Sequence, residues 1–173
     1  MPSFYEILGS PFPARFFFVF SLTPVTVLQI RAPRENRVVW VGKVSAGDAM
    51  ETVYLHSVEK SPVHEFFRIG EDLRFHLEET AFSSCNTGLP SGVEGEEVFV
   101  SDGAGFRVTG MNRVLSRMRL WVHEDYENAL KLGPHETIAL PALAGNTLLE
   151  ITLRRVPLVL WGVEEMKVLV QGP

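Results

Sequence analysis

His56, Ser57, Glu59, Lys60, Ser61, Pro62, His64 and Glu65 crowd one short stretch between two apolar segments, and no other stretch combines so many reactive groups. Two imidazoles and a carboxylate are metal-ligand chemistry, and a serine beside a histidine is a nucleophile and a base. An ammonium next to a carboxylate suits recognition of a charged partner. Hairpin register decides the metal reading. With Glu59 and Lys60 as a two-residue tip, His56 lies opposite Val63 and the imidazoles face opposite ways. With a three-residue tip centred on Lys60, His56 and His64 lie opposite each other and could pinch an ion. Glu65, His76 or Cys85 would have to complete the ligand set, and spacing holds none of them nearby. No metal and no cofactor are therefore expected.

The nucleophile reading is weaker. Neighbours on a strand face opposite ways, so Ser57 and His56 do not make a serine–base hydrogen bond there. The chain has no Gly-x-Ser-x-Gly elbow. Cys85 sits in the polar run Ser83-Ser84-Cys85-Asn86-Thr87, where a lone cysteine is more often inert. Glu78, Glu79, Glu94, Glu96 and Glu97 read as solvated charge. No catalytic residue is assigned. A second run, Thr87-Gly88-Leu89-Pro90-Ser91-Gly92, alternates restricted and permissive backbone positions and reads as a shaped loop. Together the two loops predict one recognition surface at one end of the fold. Its binding residues are His56, Ser57, Glu59, Lys60, Pro62, Glu65, Gly88, Leu89 and Pro90. His56 is expected to order the turn, with Glu59 and Lys60 as exposed rim charges.

The elements that must hold these loops show period two. Leu73, Phe75 and Leu77 alternate with Arg74, His76 and Glu78; Met118, Leu120 and Val122 alternate with Arg117, Arg119 and Trp121. Leu149, Ile151 and Leu153 alternate with Glu150, Thr152 and Arg154, and Val53 and Leu55 alternate with Thr52, Tyr54 and His56. Strands with one apolar and one polar face fit antiparallel sheets. Turn signals such as Ala46-Gly47-Asp48 and Gly70-Glu71-Asp72 recur at short intervals. The fold class expected is all-β, an antiparallel β-sandwich or partly closed barrel with one or two short helices. The helical windows are 111–118 and 123–132, the second ending at Gly133-Pro134. Residues 158–160 and 168–170 read as added edge strands.

At 173 residues the chain is long enough to fold without a disulfide or metal, and 46% apolar with 21% charged residues excludes wholesale disorder. A net charge of −5 with scattered basic residues argues against a nucleic-acid partner. The N-terminus admits two readings. Arg15 followed by Phe16-Phe17-Phe18-Val19-Phe20 offers a charged residue before an apolar core, as export and anchor segments do. Alternatively, residues 25–30 are simply the first buried strand after a poorly defined leader. The division adopted is a leader at 1–24 and one β domain at 25–173.

The motif His56-Ser57-Val58-Glu59-Lys60-Ser61-Pro62-Val63, with Glu65 and then Gly88-Leu89-Pro90, resembles the signature of the bacterial domain-of-unknown-function 1850 family. Gly110-Met111-Asn112-Arg113 is similar to a further element of it. The chain departs from the pattern at Asn86-Thr87, where the family commonly carries Gly-Ala. Members are typically small proteins encoded beside TRAP transporters (tripartite, ATP-independent, periplasmic) of the TAXI type, and many begin with an export or anchor segment. The resemblance therefore implies a non-enzymatic accessory or binding protein of such an uptake system, in the periplasm or otherwise outside the cytoplasm. Transporter subunits would be its partners, and its N-terminal segment would associate with the membrane. The alternative is a metal-dependent or small-ligand-binding β domain centred on residues 56–65.

Overall fold

The computed structural model describes residues 22–83, 95–101, 103 and 105–171, with backbone alone at 169–171. Among the described residues two antiparallel sheets form a sandwich and do not close into a barrel. The strands are β1 (Pro24–Ala32), β2 (Arg37–Val44), β3 (Ala49–Leu55), β4 (Pro62–Ile69), β5 (Phe75–Phe82) and β6 (Val98–Ser101). They continue as β7 (Phe106–Leu115), β8 (Arg117–Val122), β9 (Ala129–Leu132), β10 (Glu136–Ala139) and β11 (Thr147–Pro157). The smaller sheet runs β2-β1-β11-β8 and the larger β10-β9-β3-β4-β5-β7-β6. Ser116 alone separates β7 from β8, so the chain changes sheets within one residue.

The alternating residues form the core. Leu28 and Ile30 stand opposite Leu153 and Ile151, and with Leu149 they meet Phe75, Val63, Ile69 and Phe67 of the larger sheet in one buried cluster. Such a period-two face against a facing sheet is the arrangement that removes the most apolar area from water for a strand.

Strand β3 reverses its expected parity. Met50 and Thr52 are buried and Tyr54 packs on the core, while Val53 and Leu55 point to the outer face and are half-buried. Register explains the reversal. Met50 stands opposite Phe67, Tyr54 opposite Val63, and Thr52 opposite Leu130, so three apolar partners fix this face inward.

Neither expected helical window forms an α-helix: the first is nearly all strand, and the second is a 3-10 turn followed by strand. The first lies in β7 and β8. Between its pairs Thr109–Glu79 and Arg113–Leu77, β7 carries extra residues, with Gly110 at φ 71°. This bulge shifts the buried positions from Val108 to Met111, a spacing of three that imitates a helix face. In the second window a 3-10 turn, Glu124–Tyr126, stops after three residues. His123 caps it by accepting from the Asp125 amide, and Asn128 Oδ1 accepts from the His123 amide at 3.1 Å. The following residues pair with β3 as β9, so Gly133-Pro134 begins a hairpin turn and ends no helix.

The C-terminal stretch is helical where edge strands were expected. After a short α1 (Leu140–Ala144) and β11, α2 (Leu158–Gln171) contacts β1, β2 and β11. It lies over the outer side of the smaller sheet, where Val27, Gln29, Val41 and Val156 are buried outside the central cluster. With both faces of β1 covered, Val27, Leu28, Gln29 and Ile30 are buried in succession, not alternately.

Candidate functional site

The motif turn leaves four residues, 57–60, between the closing pair His56 and Ser61, which differs from both anticipated registers. Leu55 stands opposite Pro62, and the next pair closes with the His56 amide donating to the Ser61 carbonyl at 2.9 Å. The Lys60 amide donates to the His56 carbonyl at 2.9 Å, and Lys60 sits at φ 52°. His56 orders the turn through its ring, as expected, but as an acceptor: Nδ1 takes the Glu59 amide hydrogen at 3.2 Å. Ser57 and Lys60 are exposed, whereas Glu59 is half-buried. His64 stands opposite Val53, so the two imidazoles face opposite sides of the sheet and cannot share an ion. Among the described residues, no group of three His, Cys, Asp or Glu side chains is arranged to hold a metal.

Lys60 fastens this turn across the gap between the sheets. Its ammonium lies 5.2 Å from the ring centre of Tyr126, in the 3-10 turn that follows β8. Beside this contact opens a cleft of about 380 Å³ lined by Tyr54, His56, Ser57, Leu120, Trp121 and Tyr126, with Leu55, Arg119 and Asn128 completing it. Arg34 lies over the Trp121 ring at 4.9 Å, and Arg119 Nε donates to Glu150 at 2.9 Å. Aromatic side chains thus supply much of the lining, with Arg119 among them and Arg34 and Lys60 against two of the rings, which suits binding of a ligand or a protruding side chain. Among the described residues no hydroxyl is paired with a base here.

Glu65 lies on the inner face, not in the loop. Its neighbours across the strands are Thr52 and Thr80, and Thr52 Oγ1 donates to its carboxylate at 3.1 Å. Burial raises its pKa, only partly offset by that hydrogen bond. Burial, with the nearby Glu65 carboxylate, pushes the Tyr54 phenol up to about 12, so it stays a donor. The folded state thus holds the Glu65 proton more tightly than the unfolded chain. Its stabilising contribution is complete below the ordinary glutamate value of 4.5 and is lost as pH rises through the raised folded value. Relative to Glu65→Gln, the parent is expected to lose stability progressively over that window. Urea midpoints measured from about pH 4 to about pH 8 would check this, and parallel curves for the two proteins would refute it. Glu51 behaves oppositely: burial raises its pKa, but hydrogen bonds from His64 (2.7 Å) and Lys131 (2.9 Å) bring it below the ordinary value. Because the parent and the variant share Glu51, their difference isolates Glu65.

Of the other predicted residues, Pro62 opens β4 and borders a separate outer groove of about 240 Å³ with His64, Phe82, Ser83 and Arg107. Gly88, Leu89 and Pro90 lie outside the described residues, as does Cys85. The structure therefore brings His56 and Ser57 to the cleft and Lys60 to its rim, and sets Glu65 behind Tyr54. Sequence reading missed Arg119, Trp121, Tyr126 and Asn128. The available signal was Trp121, a large aromatic on a strand face otherwise occupied by Arg117 and Arg119.

Fold and site together define an antiparallel β-sandwich with an aromatic-walled cleft between its sheets. A family model described as a domain of unknown function, DUF1850, matches residues 50–137 of the 173, and the chain belongs to that family. Every residue lining the cleft falls within the matched segment. No curated protein and no solved structure matches the chain significantly.

Proposed function

We propose that this chain is a non-enzymatic accessory or binding protein of a TRAP-type uptake system of the TAXI type, working in the periplasm or otherwise outside the cytoplasm. The observation that carries the reading is the joining of the motif turn to the cleft. Lys60 reaches the Tyr126 ring, and His56 and Ser57 line the opening. A hairpin needs only a simple turn to reverse its direction, so this polar mixture is better explained by what it meets than by the turn itself. Transporter subunits are the partners the family resemblance implies.

The test is uptake by the cognate transporter in cells carrying Glu59→Ala with Lys60→Ala. The double variant should still fold, losing about 1 kcal/mol with the Lys60–Tyr126 contact, and should lower uptake. Normal uptake with a normally folded variant would reduce the loop to a decorated turn. The roughly 380 Å³ cleft favours one second reading, a small-ligand-binding domain. A small molecule retained through purification and displaced by Trp121→Ala would select that reading over the first.

A further inference from the structure

We propose that α2 rests on a lipid bilayer, with Val159, Leu160, Val163 and Met166 entering the boundary between headgroups and acyl chains. The helix is amphipathic in the wrong sense for water. Val159, Val163 and Met166 follow one another at helical spacing with Leu160 beside them, and they are 47%, 37%, 59% and 51% exposed in that order. Its two carboxylates are drawn partly inward. Glu164 and Glu165 are half-buried, and Glu164 Oε2 and Trp161 Nε1 are buried without a hydrogen-bond partner. A helix on a soluble surface normally turns its charges outward and its apolar stripe to the core. Exposed Lys167 beside the stripe can reach headgroups while its stem stays with the apolar residues.

The place where the chain enters β1 bears on what covers this face. The Leu158 amide at the start of α2 donates to the Thr23 carbonyl at 2.9 Å, so the chain enters β1 beside the start of the helix. That segment includes Arg15 and the apolar run Phe16-Phe17-Phe18-Val19-Phe20, and Leu22 next to it is 54% exposed. The inference rests on the reading of residues 1–24 as an anchoring leader, since an anchor there would bring α2 to the membrane. With 14 residues the helix is about 21 Å long, short of the roughly 30 Å hydrocarbon core, so it lies along the bilayer. No helix among the described residues is long and apolar enough to cross.

Flotation of the full chain with phosphatidylethanolamine–phosphatidylglycerol vesicles tests this. Val163→Glu with Met166→Glu should cut the bound fraction about tenfold or more with an unchanged β-sheet circular dichroism spectrum. In parallel, Met166→Trp should give emission that shifts to the blue on vesicles and is quenched by brominated lipid, a readout that needs no charge in the helix. If the double glutamate variant floats like the parent while Phe17→Asn with Phe18→Asn does not, the anchor reading stands and the α2 proposal is overturned. If the parent itself does not float, both fail. A parent that ignores vesicles but dimerises, and becomes monomeric with the two glutamates, would assign the stripe to a second copy instead.

Discussion

Phe75→Ala is expected to lower the free energy of unfolding by about 3–5 kcal/mol, a large part of what a domain of this size has. The ring is fully buried and is the largest side chain in that state among the described residues. It meets Phe67 edge-on, with centroids 6.5 Å apart and planes at 77°, and its strand neighbours are Ile69 and Leu115. Truncation removes the transfer free energy of the ring and leaves a cavity between two sheets whose backbones are tied by ladders on both sides. Those ladders limit collapse, which places the cost in the upper part of the usual range. Val100→Ala on edge strand β6, where the side chain is 43% exposed, should change stability by less than about 0.5 kcal/mol. Urea unfolding measures both, as a shift in midpoint at constant slope. A loss below about 1 kcal/mol for Phe75→Ala would mean that the two sheets do not close over this position.

Phe75 also marks what could be read in advance. Around it, and in Leu149, Ile151 and Leu153, the period-two pattern coincides with the buried face, because each strand faces a core on one side and water on the other. Reading failed where a non-local partner set the parity. In β3, Thr52 and Tyr54 are polar by type, yet Leu130 and Val63 opposite them turn that face inward. The helical spacing of Val108 and Met111 arises from a bulge, which composition does not announce. The segment 123–132 has helix-like residues, but pairing with β3 outweighs so short a local preference.

The candidate site divides along the same line. The motif turn was conspicuous by density, and the role of His56 in ordering it follows from residue types within a few positions. Its register did not follow, since a four-residue connection is as compatible with Pro62 as the shorter tips are. The opposite wall of the cleft comes from β8 and the 3-10 turn, more than sixty positions further along the chain. Only the crossing from one sheet to the other at Ser116 brings Trp121 and Tyr126 to face Tyr54 and His56.

Gly110→Ala is expected to cost about 1–3 kcal/mol, more than the same change at Gly133, and the comparison isolates a single backbone contact. Both glycines have positive φ, 71° and 58°, so alanine is strained at either. At Gly133 a Cβ would meet nothing within 4 Å, and the loss should be the left-handed penalty alone, about 1 kcal/mol. At Gly110 the Cβ would stand 2.9 Å from the Glu96 carbonyl oxygen, and a backbone atom cannot rotate aside as a side chain does. Relief requires β7 to move away from the residues leading into β6, which strains the pairing of Thr109 with Val98 and the Arg113–Glu97 ion pair, 3.0 Å in the parent. Gly110 opens the element Gly110-Met111-Asn112-Arg113, so its chemistry is that of a bulge that lets an edge strand approach closely. Thermal and urea unfolding of the two variants side by side decide the matter. Equal losses at both positions would show that Glu96 yields without cost and that Gly110 is there for its φ angle alone.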